Sequence, residues 1–142
     1  MYMPDVNVLV GALHEESPDH EQLADWMEDV INGDYPLSLS SLVVGGLVRV
    51  VTNSRIFAHP MTADEILTTC DMLLGSGRAV IAYPGQRHFG IFSSLCRSVN
   101  ARGNLVSDAQ HAALAIETNA TWVSLDDDFA RFPGLKWEKP QV

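Results

Sequence analysis

Apolar and polar positions along the chain switch between two periods, and the switches mark out most of its elements. Residues 2–5 are apolar on both sides of Pro4 and read as a brief strand ending near Asp5. Val6 to Leu13 satisfies both the strand and the helix period, so either continuation is open. Leu23, Trp26, Met27, Val30 and Ile31 then recur at helical spacing, with Ser17 placed to cap, Pro18 at the first helical position and Gly33 as a stop. Pro36 to Ser40 has the length of a strand. Leu42 to Val51 is an apolar run that predicts a helix containing Gly45 and Gly46. Two adjacent glycines cost a helix roughly 2 kcal/mol relative to alanine, which points to a close neighbour that needs the space.

Thr62-Ala63-Asp64-Glu65 has the form of a capping box, and Ile66, Cys70, Leu73 and Leu74 follow it as one apolar stripe ended by Gly75 and Gly77. Ala79 to Tyr83 reads as strand. Gln86 to Val99 reads as helix, with Phe89, Phe92, Leu95, Cys96 and Val99 on one face. Ser107 opens a further helix that carries Asp108 in its first turn. Thr121 to Leu125 is rich in strand formers, Asp126-Asp127-Asp128 breaks it, and Leu135 to Glu138 reads as a last short strand. Strands alternating with helices predict an α/β architecture with a mostly parallel sheet.

Composition narrows the class. The 142 residues are 46% hydrophobic and 19% charged, which suits a packed core in one domain spanning 1–142 rather than disorder. No apolar run has the roughly 18 residues of a membrane span, and no secretory signal is visible at the start, so a cytoplasmic protein is expected. Cys70 and Cys96 form neither a disulfide framework nor a zinc-like spacing. The net charge is −9, and its distribution matters more than its size. Nine of the eighteen acidic residues and none of the nine basic ones lie before Arg49; the remainder of the chain sums to zero. Such an acidic first third opposes nonspecific polyanion binding. It suits a solvated acidic face, a surface for a basic partner, or carboxylates gathered around a cation.

In open parallel α/β sheets, sites form beyond the carboxyl ends of the strands. Asp5 and Asp126 lie at two such ends, and Asp108 lies near the start of a helix of small and apolar residues. Each has an ordinary explanation, as a helix cap, a helix-dipole partner or a solvated turn. Asp5 is the hardest to dismiss, because its neighbours Met3, Pro4, Val6 and Val8 place it near the core, where a lone carboxylate is costly. Three carboxylates within about 5 Å would repel by roughly 3 kcal/mol per pair at an effective dielectric near 20. Only protons, an arginine such as Arg49 or Arg131, or a hard divalent cation relieves that. All-oxygen ligands suit Mg²⁺ or Mn²⁺, the setting of phosphodiester hydrolysis.

At these residues the sequence resembles a family. Met-Pro-Asp-Val-Asn-Val-Leu (3–9), Gly-Asn-Leu-Val-Ser-Asp-Ala-Gln-His-Ala-Ala-Leu-Ala (103–115) and Val-Ser-Leu-Asp-Asp-Asp-Phe-Ala-Arg-Phe (123–132) resemble PIN-domain ribonucleases, and more narrowly the VapC-type toxins of toxin–antitoxin pairs, in particular their mycobacterial branch. The three segments occur in the family's order over nearly the whole chain. The resemblance implies a three-layer α/β/α sandwich around a mostly parallel sheet of about four to five strands. It implies an Mg²⁺- or Mn²⁺-dependent endoribonuclease acting on structured RNA such as tRNA or rRNA, and a homodimer restrained by a cognate antitoxin. By position, Asp5, Asp108 and Asp126 match the acidic catalytic and metal residues, and Asp128 a frequent additional acid. Asn7, Asn104 and Ser124 match supporting polar positions. One position departs: many PIN enzymes carry a glutamate where this chain has Gly46, and no acid lies between Asp34 and Asp64.

Other chemistries find less support. His14, His20, His59, His88 and His111 include no zinc-binding His-Glu-x-x-His, although His111, three residues after Asp108, is placed for a supporting or RNA-contacting role. No nucleophile elbow or phosphate loop occurs. Arg78, Arg87, Arg97 and Arg102 offer phosphate contacts or merely surface charge. The alternative function is a catalytically impaired PIN-like module that binds RNA or protein; a haloacid-dehalogenase reading is weaker, since Asn7 stands where that pattern needs a second aspartate. The apolar runs Val43–Val51 and Ile66–Leu74 are candidates for interface or for core.

Overall fold

The computed structural model describes residues 1–142, in the order β1 (Tyr2–Pro4), α1 (Val6–Leu13), α2 (His20–Ile31), β2 (Leu37–Ser40), α3 (Ser41–Val51), α4 (Ala63–Gly75), β3 (Ala79–Ala82), α5 (His88–Val99), α6 (Asn104–Glu117), β4 (Thr121–Val123), a short 3₁₀ turn (Asp127–Arg131) and β5 (Trp137–Glu138). All strand pairs are parallel, in the ladders β1-β4-β5 and β2-β3. The two ladders meet along β1 and β2 without joining. Pro4 accounts for the seam. Thr121 N–H donates to Met1 O and Asp5 N–H to Val123 O, so odd residues of β1 face β4 and even residues face β2. On that side Pro4 has no N–H to give. The single sheet expected from the sequence is therefore five parallel strands with one unzipped join.

Helices cover both faces of the strands. Helix α1 packs on both α2 and α3, α3 packs on α4, and α5 packs on α6. All four residues of β2 are buried, as a strand covered on both faces requires. Trp122, Phe129, Met3, Leu9, Leu37 and Leu39 belong to the one hydrophobic cluster that runs between the layers. Val43, Leu47, Val51, Ile66 and Cys70 join it, so the inward stripes of the two apolar runs are core; Leu42, Leu67 and Met72 remain exposed. No helix is long and apolar enough to cross a membrane.

Local chemistry explains most helix starts. The capping box forms as expected: Thr62 Oγ1 accepts from Glu65 N–H at 3.1 Å, and Glu65 Oε1 accepts from Thr62 N–H at 3.2 Å. Two starts differ from expectation. Helix α2 begins at His20 after Asp19 in a left-handed conformation (φ 61°), because the Ser17 hydroxyl donates to Val10 O and holds Pro18 in the preceding turn. Helix α6 begins at Asn104, where Gly103 (φ 56°) breaks the chain direction, so Asp108 falls in the second turn rather than the first.

Candidate metal centre

Asp5 ends β1 and caps α1, with Oδ1 accepting from Val6 N–H at 2.7 Å. Its other oxygen accepts from the hydroxyl of Ser124, 119 residues away, at 2.7 Å. Ser124 is fully buried at the end of β4 and organises the loop that follows. Its Oγ accepts from Asp126 N–H at 3.1 Å and lies 3.4 Å from Asn7 Nδ2, while Asn7 Oδ1 accepts from Leu125 N–H at 3.3 Å. Trp137 Nε1–H donates to Ser124 O at 3.2 Å, so β5 pins the same residue from behind. Asp126 then caps the 3₁₀ turn, its Oδ1 accepting from Asp128 N–H at 2.9 Å.

Beside this network three carboxylates gather. Asp108, Asp126 and Asp128 each offer an oxygen within 4.8 Å of the others. Asp5 stands beside this trio and interacts with Asp108 and Asp126 through space. Asp127 turns away and pairs with Lys139 at 3.1 Å. Of the neighbouring acids it is thus Asp128 that enters the group. Asn104 is exposed one turn before Asp108 and takes no part in the Ser124 network. Neither Arg49 nor Arg131 forms an ion pair with the aspartates; the two ion pairs of the molecule are Glu16–His59 and Asp127–Lys139.

The electrostatics follow from that isolation. Burial raises Asp108 to about 6, helped by the negative charges of Asp126, Asp5 and Asp128. Burial also raises Asp5, against the opposing effects of the Ser124 hydroxyl and His111. His111 is itself held low by burial, with Asp5 pulling the other way. Its ring stacks on Trp122 with centroids 5.3 Å apart, and its Nδ1 is buried without a partner. The donor set of the trio is entirely carboxylate oxygen, with no thiolate or imidazole among the three and no basic side chain to neutralise it. That composition fits a hard divalent cation such as Mg²⁺ or Mn²⁺.

Two features lie next to the aspartates; the paired glycines pointed to the first, at Gly46 though not at Gly45, and nothing in the sequence pointed to the second. Gly46 sits against Val6: a Cβ there would lie 3.0 Å from Val6 Cγ2, so the glycine gives room to the residue that follows Asp5. A groove of about 1080 Å³ runs from Asp5, Asn7 and Leu125 along Val10 to Ser17 and Phe57. Its far wall is a clasp in which Glu16 accepts from His59 N–H at 3.0 Å and meets His59 Nδ1 at 2.6 Å. Only contact across 43 residues reveals that pairing.

A family model described as "PIN domain" matches residues 2–135. Ribonuclease VapC43 of Mycobacterium tuberculosis is 41% identical over 140 residues, covering 99% of this chain and 95% of that protein. Ribonuclease VapC25 of the same organism is 32% identical over 142 residues and 100% of both chains. Among solved structures, VapBC2 from Rickettsia felis bound to a DNA fragment from their promoter is similar with a TM-score of 0.72, at 24% identity over 99% of this chain and 98% of that one; that likeness speaks to the fold.

Proposed function

The chain belongs to the PIN-domain family, among the VapC ribonucleases, and from that premise we propose that it is a metal-dependent endoribonuclease, the toxin of a toxin–antitoxin pair. The observation that carries the reading is the convergence of Asp108, Asp126 and Asp128 within 4.8 Å, beside Asp5, with no cation of the protein's own among them. Residues 1–142 act as one domain, on RNA in the cytoplasm, with structured RNA such as tRNA or rRNA as substrate.

In this reading Asp108, Asp126 and Asp128 hold Mg²⁺ or Mn²⁺ with Asp5 at their side. When bound, such an ion lowers the pKa of water and offsets charge on phosphoryl oxygens. Ser124 fixes the rotamer of Asp5 through its hydroxyl and the position of Asp126 through its lone pair. Asn7 holds the backbone at Leu125, and Trp137 closes the network from β5. Because few basic side chains stand nearby and the first third of the chain is acidic, selection among RNAs rests on shape and on a small number of contacts.

The groove that begins at Asp5 accommodates a segment of the cognate antitoxin. An arginine of that segment, set against the aspartates, would make the charge-assisted pair that the protein itself lacks. The second copy of a homodimer would cover exposed apolar side chains such as Met72, Tyr83 and Phe89. The impaired binding module is the poorer account, since full-length relatives at 41% and 32% identity are ribonucleases and the aspartates converge without a glutamate at position 46.

The test is cleavage of total tRNA and rRNA with Mn²⁺ or Mg²⁺, with EDTA, and by the Asp5→Ala variant. Cleavage should require the metal and fall at least ~100-fold in the variant. Undiminished cutting by Asp5→Ala, or in EDTA, would overturn the proposal.

A further inference from the structure

Away from the aspartates, toward the carboxyl end of α2, lies a notch of about 320 Å³ lined by Tyr2, Trp26 and Tyr35, with Asp29, Asp34 and the amino-terminal Met1 beside them. Its size is at the lower end of the ~300–1,000 Å³ common for small-molecule pockets. Tyr2 and Trp26 meet edge to face, centroids 6.2 Å apart and planes at 73°, and Tyr35 beside them is 70% exposed. The positive amino terminus at Met1 lies at the notch beside Asp29 and Asp34, and the acids continue along α2. Asp29 and Asp34 at the notch and Glu21, Asp25 and Glu28 along the helix are exposed, and none forms an ion pair. Among the arginines, Arg78 is committed to the end of α2: its Nη1 donates to Ile31 O at 2.7 Å and to Asn32 Oδ1 at 3.1 Å.

We propose that the Tyr2–Trp26–Tyr35 notch receives an arginine side chain from a basic protein segment lying along the acidic face of α2. Glu21, Asp25, Glu28 and Asp29 share one stripe of that helix, and its 12 residues span about 18 Å, the reach of a short extended peptide. A guanidinium stacks on aromatic faces and forks onto carboxylates, so it matches rings and acids at once. RNA is excluded from this face by the same charge that attracts an arginine. The inference stands on the notch and its charge, independently of the nuclease reading.

The test follows the indole N–H signals of the full-length protein by NMR during titration with a Gly-Arg repeat peptide. Trp122 and Trp137, outside the notch, serve as internal references. The Trp26 signal should move saturably, while Trp122 and Trp137 stay in place. Asp29→Asn combined with Asp34→Asn, both on exposed residues, should weaken the peptide roughly tenfold or more while leaving Trp122 and Trp137 unchanged. The proposal fails if Trp26 does not respond, if the double variant binds equally well, or if a Gly-Glu peptide or an RNA oligomer gives the same shift. It fails also if the Trp26 signal depends on protein concentration alone, which would mark the notch as a contact between copies of this chain.

Discussion

Between the ends of β1 and β4, the 3₁₀ turn and α6, four aspartates stand beside one another with no ion pair, whereas Glu16, at the far wall of the groove, has its carboxylate occupied by a single residue. His59 N–H lies 3.0 Å from both Glu16 oxygens and His59 Nδ1 lies 2.6 Å from one of them. Behind this pair, His14 Nδ1 accepts from Glu16 N–H at 3.1 Å, its Nε2 faces His59 O at 3.1 Å, and its ring stacks on Phe57 at 3.8 Å. The two sites shift their acids in opposite directions: Asp108 and Asp5 upward by burial, Glu16 downward by the hydrogen bonds from His59. The clasp joins the loops after α1 and α3 and favours the fold. The aspartates oppose it, and a group that opposes folding persists where it binds something else.

The largest effect that would separate the sites is on activity. Asp108→Asn and Asp126→Asn should each lower RNA cleavage at least ~100-fold, while Glu16→Gln, which leaves the aspartates in place, should retain cleavage and lower the melting temperature. Calorimetry adds a second reading of the same contrast. Mn²⁺ at a hundred times its dissociation constant should stabilise the wild type by about 2.7 kcal/mol and the Asp108→Asn protein by much less. If Mn²⁺ stabilised both equally, the aspartates would not be its site.

The next effect is on pH dependence without metal. The folded pKa of Asp108, about 6, exceeds its ordinary 3.8, so between these values the folded protein holds more protons than the unfolded chain. Its contribution is fully present below about 3.8 and is lost as pH rises through 6. Lowering pH from 7 to 5 should therefore stabilise the metal-free protein at this residue by on the order of 1 kcal/mol after discounting for solvent screening. His111 works against it: a histidine held below 6.5 costs stability as pH falls. The measurable quantity is the difference in urea midpoint between wild type and Asp108→Asn, which should change between pH 7 and 5. Glu16 carries the opposite sign, its contribution present above 4.5 and lost as pH falls through its lowered folded value.

The smallest effect distinguishes two glycines. Nothing lies within 4 Å of a Cβ built on Gly45, so Gly45→Ala should stabilise α3 by about 0.5–1 kcal/mol. Gly46→Ala meets Val6 Cγ2 at 3.0 Å and should gain less, or lose stability, and should also reduce cleavage by pressing on the residue that donates to Asp5. Equal stabilisation by both alanines would show that the acidic site is indifferent to position 46.

The elements legible in the sequence are those whose causes lie within a few residues. The capping box of Thr62 and Glu65 and the stripe behind it needed no tertiary information. Val6 to Leu13 remained open between two periods until the Asp5 cap made it a helix. Ser17 failed as a cap because its hydroxyl found Val10 O, and the α6 start was missed because Gly103, not Ser107, turns the chain. Likewise the residues of the candidate site were visible as residue types at strand ends, but their grouping was not.

What the sequence by itself determined is the alternation of strand and helix, the concentration of negative charge before Arg49, and the presence of Asp5, Asp108, Asp126 and Asp128 where a family resemblance could pick them out. Tertiary structure alone decided that Ser124 reaches Asp5 across 119 residues, that Asp128 turns into the group while Asp127 turns out to Lys139, and that Pro4 splits the sheet. The division has a physical cause. Periodicity, caps and charge act over a turn or two of chain, whereas a carboxylate's partner is set by the direction in which a distant strand end delivers it.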